Sequence, residues 1–188
     1  MRKVIYQVWI SVDGYAADSD HTTKFFEDRK YGGESDEDLL KYMDNIDTIL
    51  LGKNTYNLFI NFWPSASSDT EIMADRLNST PKIVFSKSLK EAPWGKWPAA
   101  EIISTDAIAA VKKMKSQNGK DMVLWGSLSL VKSLMKENLI DEFHIRVVPI
   151  VLGDGIPLFE KVKEMNLTLF DSKQYSSGIA LLQYKPGS

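Results

Sequence analysis

The chain has 188 residues, with 23 Lys and Arg, 25 Asp and Glu, two histidines and no cysteine. This length suits one domain, and the absence of cysteine excludes disulfides, thiolate metal sites and thiol nucleophiles. The net charge of −2 argues against a broad nucleic-acid-binding face, and His21 and His144 are too far apart in the sequence to favour a histidine metal site. Any chemistry must therefore use carboxylates, hydroxyls, lysines, backbone groups or a bound cofactor.

The first ten residues are basic and then apolar. Their apolar part is short, is interrupted by Gln7 and is not followed by a small-residue cleavage site, so the segment predicts a β-strand rather than a signal peptide. No apolar run approaches the length of a membrane span. We therefore expect a cytoplasmic protein that does not contact a membrane.

Short apolar segments, rich in β-branched and aromatic residues, alternate with segments of helical periodicity. The predicted strands cover residues 4–10, 48–51, 82–85, 101–103 and 122–125. The predicted helices cover residues 36–43, 54–60, 69–77, 105–116 and 127–136, with Thr105 and Ser127 as caps of the last two. This alternation predicts crossover connections and a largely parallel sheet, in one domain spanning residues 1–188.

Residues 11–35 show little regular pattern. A loop of this length in a compact domain is usually a lid or a binding loop. Its charged residues would keep it solvated, and Phe25 and Phe26 would anchor it.

The C-terminal part has a different pattern. Polar and apolar residues alternate over 142–147, which predicts a half-solvated strand with His144 facing solvent. Segments 167–175 and 179–184 flank the turn 176–178, which predicts a hairpin. The sheet should therefore end in antiparallel strands, and an exposed strand edge there favours a homodimer.

Ligands bind parallel sheets where strands end and helices begin. At the first such junction a strand ends at Gly52, and the next helix starts at once, with Asn54 or Thr55 as its cap. The free amides of that helix and the charge of Lys53 would suit a phosphate. A simple glycine turn with a helix cap is the alternative.

Two more junctions carry similar residues. Strand 82–85 runs into Ser86, Lys87 and Ser88, two hydroxyls around a cation, which suits a phosphate or simply a polar strand exit. Strand 122–125 runs into Gly126-Ser127-Leu128 at a helix start, where a diphosphate could rest. No GxGxxG or P-loop motif is present.

The order and spacing of these junctions resemble the dihydrofolate reductase-like fold. More closely, they resemble the C-terminal reductase domain of the bifunctional riboflavin-biosynthesis deaminase–reductase and its stand-alone relatives. Residues 11–17 resemble the family's first loop, and residues 139–142 and 148–155 resemble its late motif. The resemblance implies an α/β fold with a mostly parallel central sheet, flanking helices and an antiparallel C-terminal hairpin.

The resemblance also implies NADP(H) as the cofactor. The residues expected to bind it are Ala16, Ala17, Gly52, Lys53, Asn54, Thr55, Ser86, Lys87, Trp125, Gly126, Ser127 and Leu128. Lys53, Ser86 and Lys87 would lie near the 2′-phosphate, residues 126–128 near the diphosphate, and the two alanines near the nicotinamide. Trp125 departs from the Gly-Gly pair of dihydrofolate reductases, and it makes a cis bond at this position costlier.

Two carboxylates are candidate catalytic and substrate-binding groups. Asp36 falls at or next to the position where dihydrofolate reductases carry a carboxylate, and its spacing with Leu40 and Met43 places it on an inward helix stripe. An acidic first helical turn is the alternative. Asp13, at the end of the first strand, is either a substrate-side group or a turn residue. Gly153 is a further substrate-side candidate, with a plain turn as the alternative.

These observations predict an NADPH-dependent reductase that transfers hydride to an imine or carbonyl carbon of a small heterocyclic or sugar-derived substrate. The expected type is that of the riboflavin pathway, similar to 5-amino-6-(5-phosphoribosylamino)uracil reductase. No resident metal and no nucleic-acid partner are expected. A dihydrofolate reductase proper, and a non-catalytic NADP-binding or interaction protein on the same fold, are the alternatives.

Overall fold

The computed structural model describes residues 1–187. Its strands are β1 (Val4–Ser11), β2 (Tyr15–Ala17), β3 (Ile46–Gly52), β4 (Lys82–Phe85), β5 (Glu101–Ile103), β6 (Asp121–Trp125), β7 (Glu142–Val148), β8 (Ile156–Pro157), β9 (Leu167–Gln174) and β10 (Ala180–Pro186). Its helices are α1 (Glu34–Tyr42), α2 (Lys53–Ile60), α3 (Ala74–Ser79), α4 (Ala107–Ser116) and α5 (Leu128–Lys136).

Eight strands form the central sheet, in the order β5-β4-β3-β6-β1-β7-β10-β9. The strands from β5 to β7 in this order pair in parallel, whereas β10 pairs antiparallel with β7 and β9 antiparallel with β10. This arrangement confirms the predicted α/β fold with an antiparallel C-terminal hairpin. Because neighbouring parallel strands run in the same direction, the carboxyl ends of β3, β4 and β6 meet at one edge.

The helices cover both faces of the sheet. On one face α4 and α5 pack through residues such as Val111 and Leu134 against Tyr6 of β1. On the other face α1 and α3 pack through Leu39 and Leu77 in a cluster that includes α2. Coverage on both faces explains why the central strands are nearly continuous apolar runs.

Two predicted helix starts are wrong. The segment predicted as a helix from residue 69 becomes helical only at Ala74, because the hydroxyls of the preceding residues bond locally to the backbone. Asp106, rather than Thr105, caps α4, and its carboxylate accepts hydrogen bonds from the amides of Ile108 and Ala109.

His144 does not face solvent, contrary to the prediction. Its side chain is 2% exposed, with Nε2 lying 3.1 Å from a carboxylate oxygen of Glu142. The amides of Gln7 and Gln183 lie beside the ring, and Tyr42 of α1 covers it. The polar alternation in β7 therefore reflects a buried polar cluster, since β7 has strands on both sides and a helix above this face.

The long segment after β1 is anchored by its aromatic residues. It contains β2 and two short 3₁₀ turns, Lys24–Phe26 and Arg29–Tyr31. Phe26 stacks on Trp9 of β1, with ring centroids 5.7 Å apart. The segment thus covers part of the sheet face on which α1 and α3 pack, which we call the second face. Within the described residues, no helix has the length and apolarity that crossing a membrane requires.

Candidate functional site

The first and third junctions lie side by side at the carboxyl edge of the sheet. The backbone amide of Gly52 donates a 2.7 Å hydrogen bond to Oγ of Ser127. The backbone amide of Ser127 donates a 2.9 Å hydrogen bond to Oγ1 of Thr55. The starts of α2 and α5 are therefore joined directly, although they are far apart in sequence. We call Gly52, Lys53, Thr55, Gly126 and Ser127 the strand-end cluster.

Two glycines permit this close approach. A Cβ atom on Gly126, which has a φ of 51°, would lie 2.9 Å from Oγ1 of Thr55. A Cβ on Gly52 would lie 3.3 Å from the side chain of Ser127. The peptide bond between Trp125 and Gly126 is trans, since the described residues include no cis bond. Larger residues at either glycine would push the two helix starts apart.

The predicted side-chain caps of these helices are absent from the described structure. Helix α2 begins at Lys53 after Gly52, so Asn54 and Thr55 lie in its first turn rather than at its cap. Ser127 precedes α5 in a left-handed conformation, and its hydroxyl bonds to Gly52 instead of capping. Two helix N-termini without side-chain caps thus lie next to each other, and the partial positive charge of each favours an anion.

The second junction adds positive charge to this edge. Nζ of Lys53 donates a 2.8 Å hydrogen bond to Oγ of Ser88, which links α2 to the end of β4. Oγ of Ser86 is engaged in the local turn, where it accepts from the amides of Ser88 and Leu89. Lys87 is exposed beside it. The structure therefore brings the three predicted junctions together.

Asp13 ties two loops together. Its carboxylate accepts hydrogen bonds from the amides of Leu152 and Gly153, at 3.1 and 2.7 Å. The hydroxyl of Ser11 and these amides lower the pKa of the exposed Asp13 carboxyl to about 2. This geometry favours a bridge between loops over proton donation, and it gives Gly153 the same bridging role.

The two predicted nicotinamide-side alanines belong to β2. Ala17 pairs with Ile156 of β8 and is buried, while Ala16 packs against the core cluster on the α4 and α5 face. A Cβ on Gly155 would lie 2.3 Å from the carbonyl oxygen of Ala17. The loops that follow β1 and β7 are therefore held close together.

Asp36 lies in the first turn of α1 and is half-buried, as its spacing predicted. Its carboxylate packs so closely on Gly32 that a Cβ there would lie 2.6 Å from Oδ2. Burial raises the pKa of Asp36, the charge of Arg146 opposes the rise, and the charge of Glu71 adds to it. A carboxyl in this setting holds its proton closer to neutral pH than a solvated one, as a proton donor requires.

Aromatic side chains form two groups on the second face of the sheet. Trp125, at the end of β6, packs against Phe59 at a centroid distance of 5.9 Å, and Phe59 packs against Trp63 at 6.2 Å. Trp9 and Phe26 form the other group. Trp125 is buried, whereas Phe59, Trp63, Trp9 and Phe26 are partly exposed. Partly exposed aromatic faces of this kind suit a planar ring.

Sequence reasoning missed three residues on this face. Gln7 accepts a 2.9 Å hydrogen bond from the indole of Trp125, Arg146 is buried in β7, and Glu71 influences Asp36. A polar residue inside an apolar strand was the available signal for Gln7. The alternation of polar and apolar residues in β7 was the signal for Arg146, but this alternation predicts a solvated strand face rather than a buried cation.

A protein-family model described as the RibD C-terminal domain matches residues 2–181. Among curated proteins, YyaP of Bacillus subtilis (strain 168), described as uncharacterized, is 34% identical over 146 residues, covering 76% of each chain.

Two solved structures share the fold. A presumed riboflavin-biosynthesis protein of Shewanella sp. PV-4 superposes with a TM-score of 0.81 at 21% identity, covering 99% of both chains. The Thermotoga maritima diaminohydroxyphosphoribosylaminopyrimidine deaminase/5-amino-6-(5-phosphoribosylamino)uracil reductase superposes with a TM-score of 0.69 at 12% identity, and the match covers 99% of this chain and 57% of that one.

Proposed function

Because the chain belongs to the family of the RibD C-terminal domain, we propose that it is an NADPH-dependent reductase. The observation that carries this proposal is the strand-end cluster, where two helix N-termini without side-chain caps lie side by side. Backbone amides in this arrangement suit the diphosphate of a dinucleotide. When bound, the cofactor would supply the hydride, so the chain would need no nucleophile of its own.

The residues around the cluster fit the rest of the cofactor. Lys53 and Lys87 would hold the 2′-phosphate together with the hydroxyl of Ser88, which accepts from Lys53, because phosphate accepts strongly from cations and hydroxyls. Gly126 and Ser127 would let the diphosphate approach the backbone closely. This set favours NADPH over NADH, since only NADPH carries the additional phosphate.

The substrate would lie on the second face of the sheet. The aromatic groups there support a planar heterocycle or a compound derived from one. Asp36 would hold a proton at its carboxyl oxygen and deliver it to the reduced carbon–nitrogen or carbon–oxygen group. The printed activity of the Thermotoga maritima relative supports a substrate of the aminouracil type.

A thermal-shift measurement with NADPH, NADH and NADP⁺ tests the cofactor assignment. A ligand that binds only the native state raises the unfolding midpoint, so NADPH should raise it more than NADH does. In K53M this difference should shrink, whereas K113M, which removes an exposed charge on α4, should behave like the wild type. Absence of any shift with NADPH would overturn the proposal.

The two alternatives are distinguished by turnover. Consumption of NADPH with dihydrofolate but not with an aminouracil substrate would favour a dihydrofolate reductase proper. Binding of NADPH without turnover of either substrate class would favour a non-catalytic binding protein on this fold.

A further inference from the structure

Arg146 lies in an unusual position for a cation. Its side chain is only 2% exposed, in the part of β7 that pairs with β1. The guanidinium stacks 4.9 Å from the ring centroid of Trp9, and Nε donates a 3.0 Å hydrogen bond to Oγ of Ser35. Its Nη1 has no hydrogen-bond partner among residues 1–187.

A buried cation is unfavourable unless opposite charges or strong acceptors compensate it. No carboxylate oxygen within residues 1–187 lies within ion-pair distance of Arg146. The compensating groups are the phenol of Tyr175 and, at longer range, the carboxylates of Asp36 and Asp38. Asp38 is already paired with Lys173. Of these two carboxylates, Asp36 is therefore the one that has no ion-pair partner among the described residues.

Ser35 connects the buried cation to that carboxylate. It is fully buried in the first turn of α1 and directly precedes Asp36. The bond from Arg146 to Ser35 therefore fixes the end of α1 that carries Asp36 against β7. Asp36 is half-buried, as its spacing predicts, whereas Glu34 and Glu37 of the same helical turn are exposed.

We propose that Arg146 is the positioning residue of Asp36, because it holds the first turn of α1 against β7 through Ser35 and places a buried positive charge beside that turn. This inference rests on the proposed function, and it identifies what positions the proton-donating group. The positive charge of Arg146 limits the rise in the pKa of Asp36 that burial causes.

The charge part of this proposal has a defined direction. Arg146 acts on Asp36 from β7, and Glu71 acts on it from the segment before α3. Asp38, on the same helix, is paired with Lys173 and accepts a 3.1 Å hydrogen bond from Tyr175. Loss of the Arg146 charge leaves burial and Glu71 unopposed, so the pKa of Asp36 should rise further.

Carbon-13 NMR titration of the aspartate carboxyls in the ligand-free protein tests this directly, with D36N used for assignment. R146M should raise the titration midpoint of Asp36, because the opposing positive charge is removed while burial remains. R146K should keep it near the wild-type value. K173M, the matched control, removes a nearby surface cation and should change the Asp36 midpoint much less. An unchanged midpoint in folded R146M would overturn the charge part of the proposal.

R146M can lower stability for reasons unrelated to Asp36, so a double-mutant cycle with D36N isolates the interaction between the two residues. The cycle compares the thermal unfolding midpoints of the wild type, the two single variants and the double variant. If the two groups attract each other, D36N should lower the midpoint less in R146M than in the wild type, because the attraction that it removes is already absent there. Equal effects of D36N in both backgrounds would contradict the proposal. The cycle and the titration use neither NADPH nor substrate, so their failure is separable from failure of the proposed reductase function.

The contact with Ser35 is tested by S35A, which keeps the charge of Arg146. Turnover should fall while the affinity for NADPH and the Asp36 midpoint stay near their wild-type values. Unchanged turnover in S35A would overturn the positioning part of the proposal.

Discussion

At the scale of single residues, Thr55 illustrates how a small polar side chain organises the strand-end cluster. It is buried, and Oγ1 accepts from the amide of Ser127 while its methyl group lies under Gly126. A buried amide that loses its acceptor costs about 1–3 kcal/mol. The hydroxyl of Thr55 therefore affects both stability and the shape of the site.

T55V tests this role, because valine keeps the shape and removes the acceptor. We expect a loss of about 1–3 kcal/mol in the free energy of unfolding and weaker binding of NADPH. T70V, at an exposed threonine, should change stability by less than about 0.5 kcal/mol. Urea unfolding measures both variants, and equal stability of T55V and the wild type would contradict the assignment.

Asp13 gives a prediction about pH. The pKa of this carboxyl is lowered to about 2 in the folded protein, from a reference value of 3.8. A lowered pKa means that the stabilisation is complete above the reference value and is lost as the pH falls towards 2. Thermal midpoints of the wild type should therefore drop more steeply than those of D13N between about pH 5 and pH 2. Parallel curves would show that the loop bridge does not stabilise the fold.

At the scale of elements, the short β2 and β8 pair controls the spacing of two loops. Leu158 donates to the carbonyl of Gly14, and Val12 donates to that of Ile150. These bonds connect the segments that follow β1 and β7. The pair thus holds Ala16 and Ala17, which the family resemblance predicts near the nicotinamide, close to the Asp13 bridge.

G155A should separate these loops, because the added Cβ would lie 2.3 Å from a backbone oxygen of Ala17. G153A is the matched control: its φ of 77° is also strained for alanine, but no atom lies within 4 Å of its Cβ. We expect faster amide hydrogen exchange at Leu158 and a lower thermal midpoint in G155A than in G153A. Similar exchange in the two variants would refute the close-packing argument.

At the scale of the whole molecule, the outer strands of the central sheet within residues 1–187 are β5 and β9, and the longer of them is β9. β9 has no partner on its outer side within residues 1–187, and its side chains are largely exposed. Leu169 and Phe170 are 49% and 43% exposed on this strand. An unpaired strand edge with apolar residues tends to pair with another chain, so we propose that β9 is the contact of a homodimer.

Sedimentation velocity tests the dimer. The wild type should sediment as a dimer, and F170K should shift it towards the monomer by placing a charge in the contact. L58K, at a similarly exposed leucine of α2, should remain dimeric. A monomeric wild type, or an F170K variant that stays dimeric, would exclude this interface.

Local patterns in the sequence were sufficient for most elements and for the three junctions. Apolar runs and helical periodicity depend on near neighbours in the chain, so they identified the strands and the strand-end glycines 52 and 126. The predicted start of α3 and the predicted cap of α4 were wrong. Several hydroxyls and carboxylates near a helix start can each serve as the cap, and the sequence alone does not distinguish them.

By itself, the sequence determined the α/β alternation, the antiparallel C-terminal hairpin and the family. Only the tertiary structure decided that His144 and Arg146 are buried, because the burial of a polar strand residue depends on β10 and α1, which pack on β7 from distant parts of the chain. It also decided that Ser127 joins Gly52 to Thr55 across adjacent strands. The physical reason is that local periodicity sets the direction of a side chain within an element, whereas the partner that the side chain meets is set by the order of the strands.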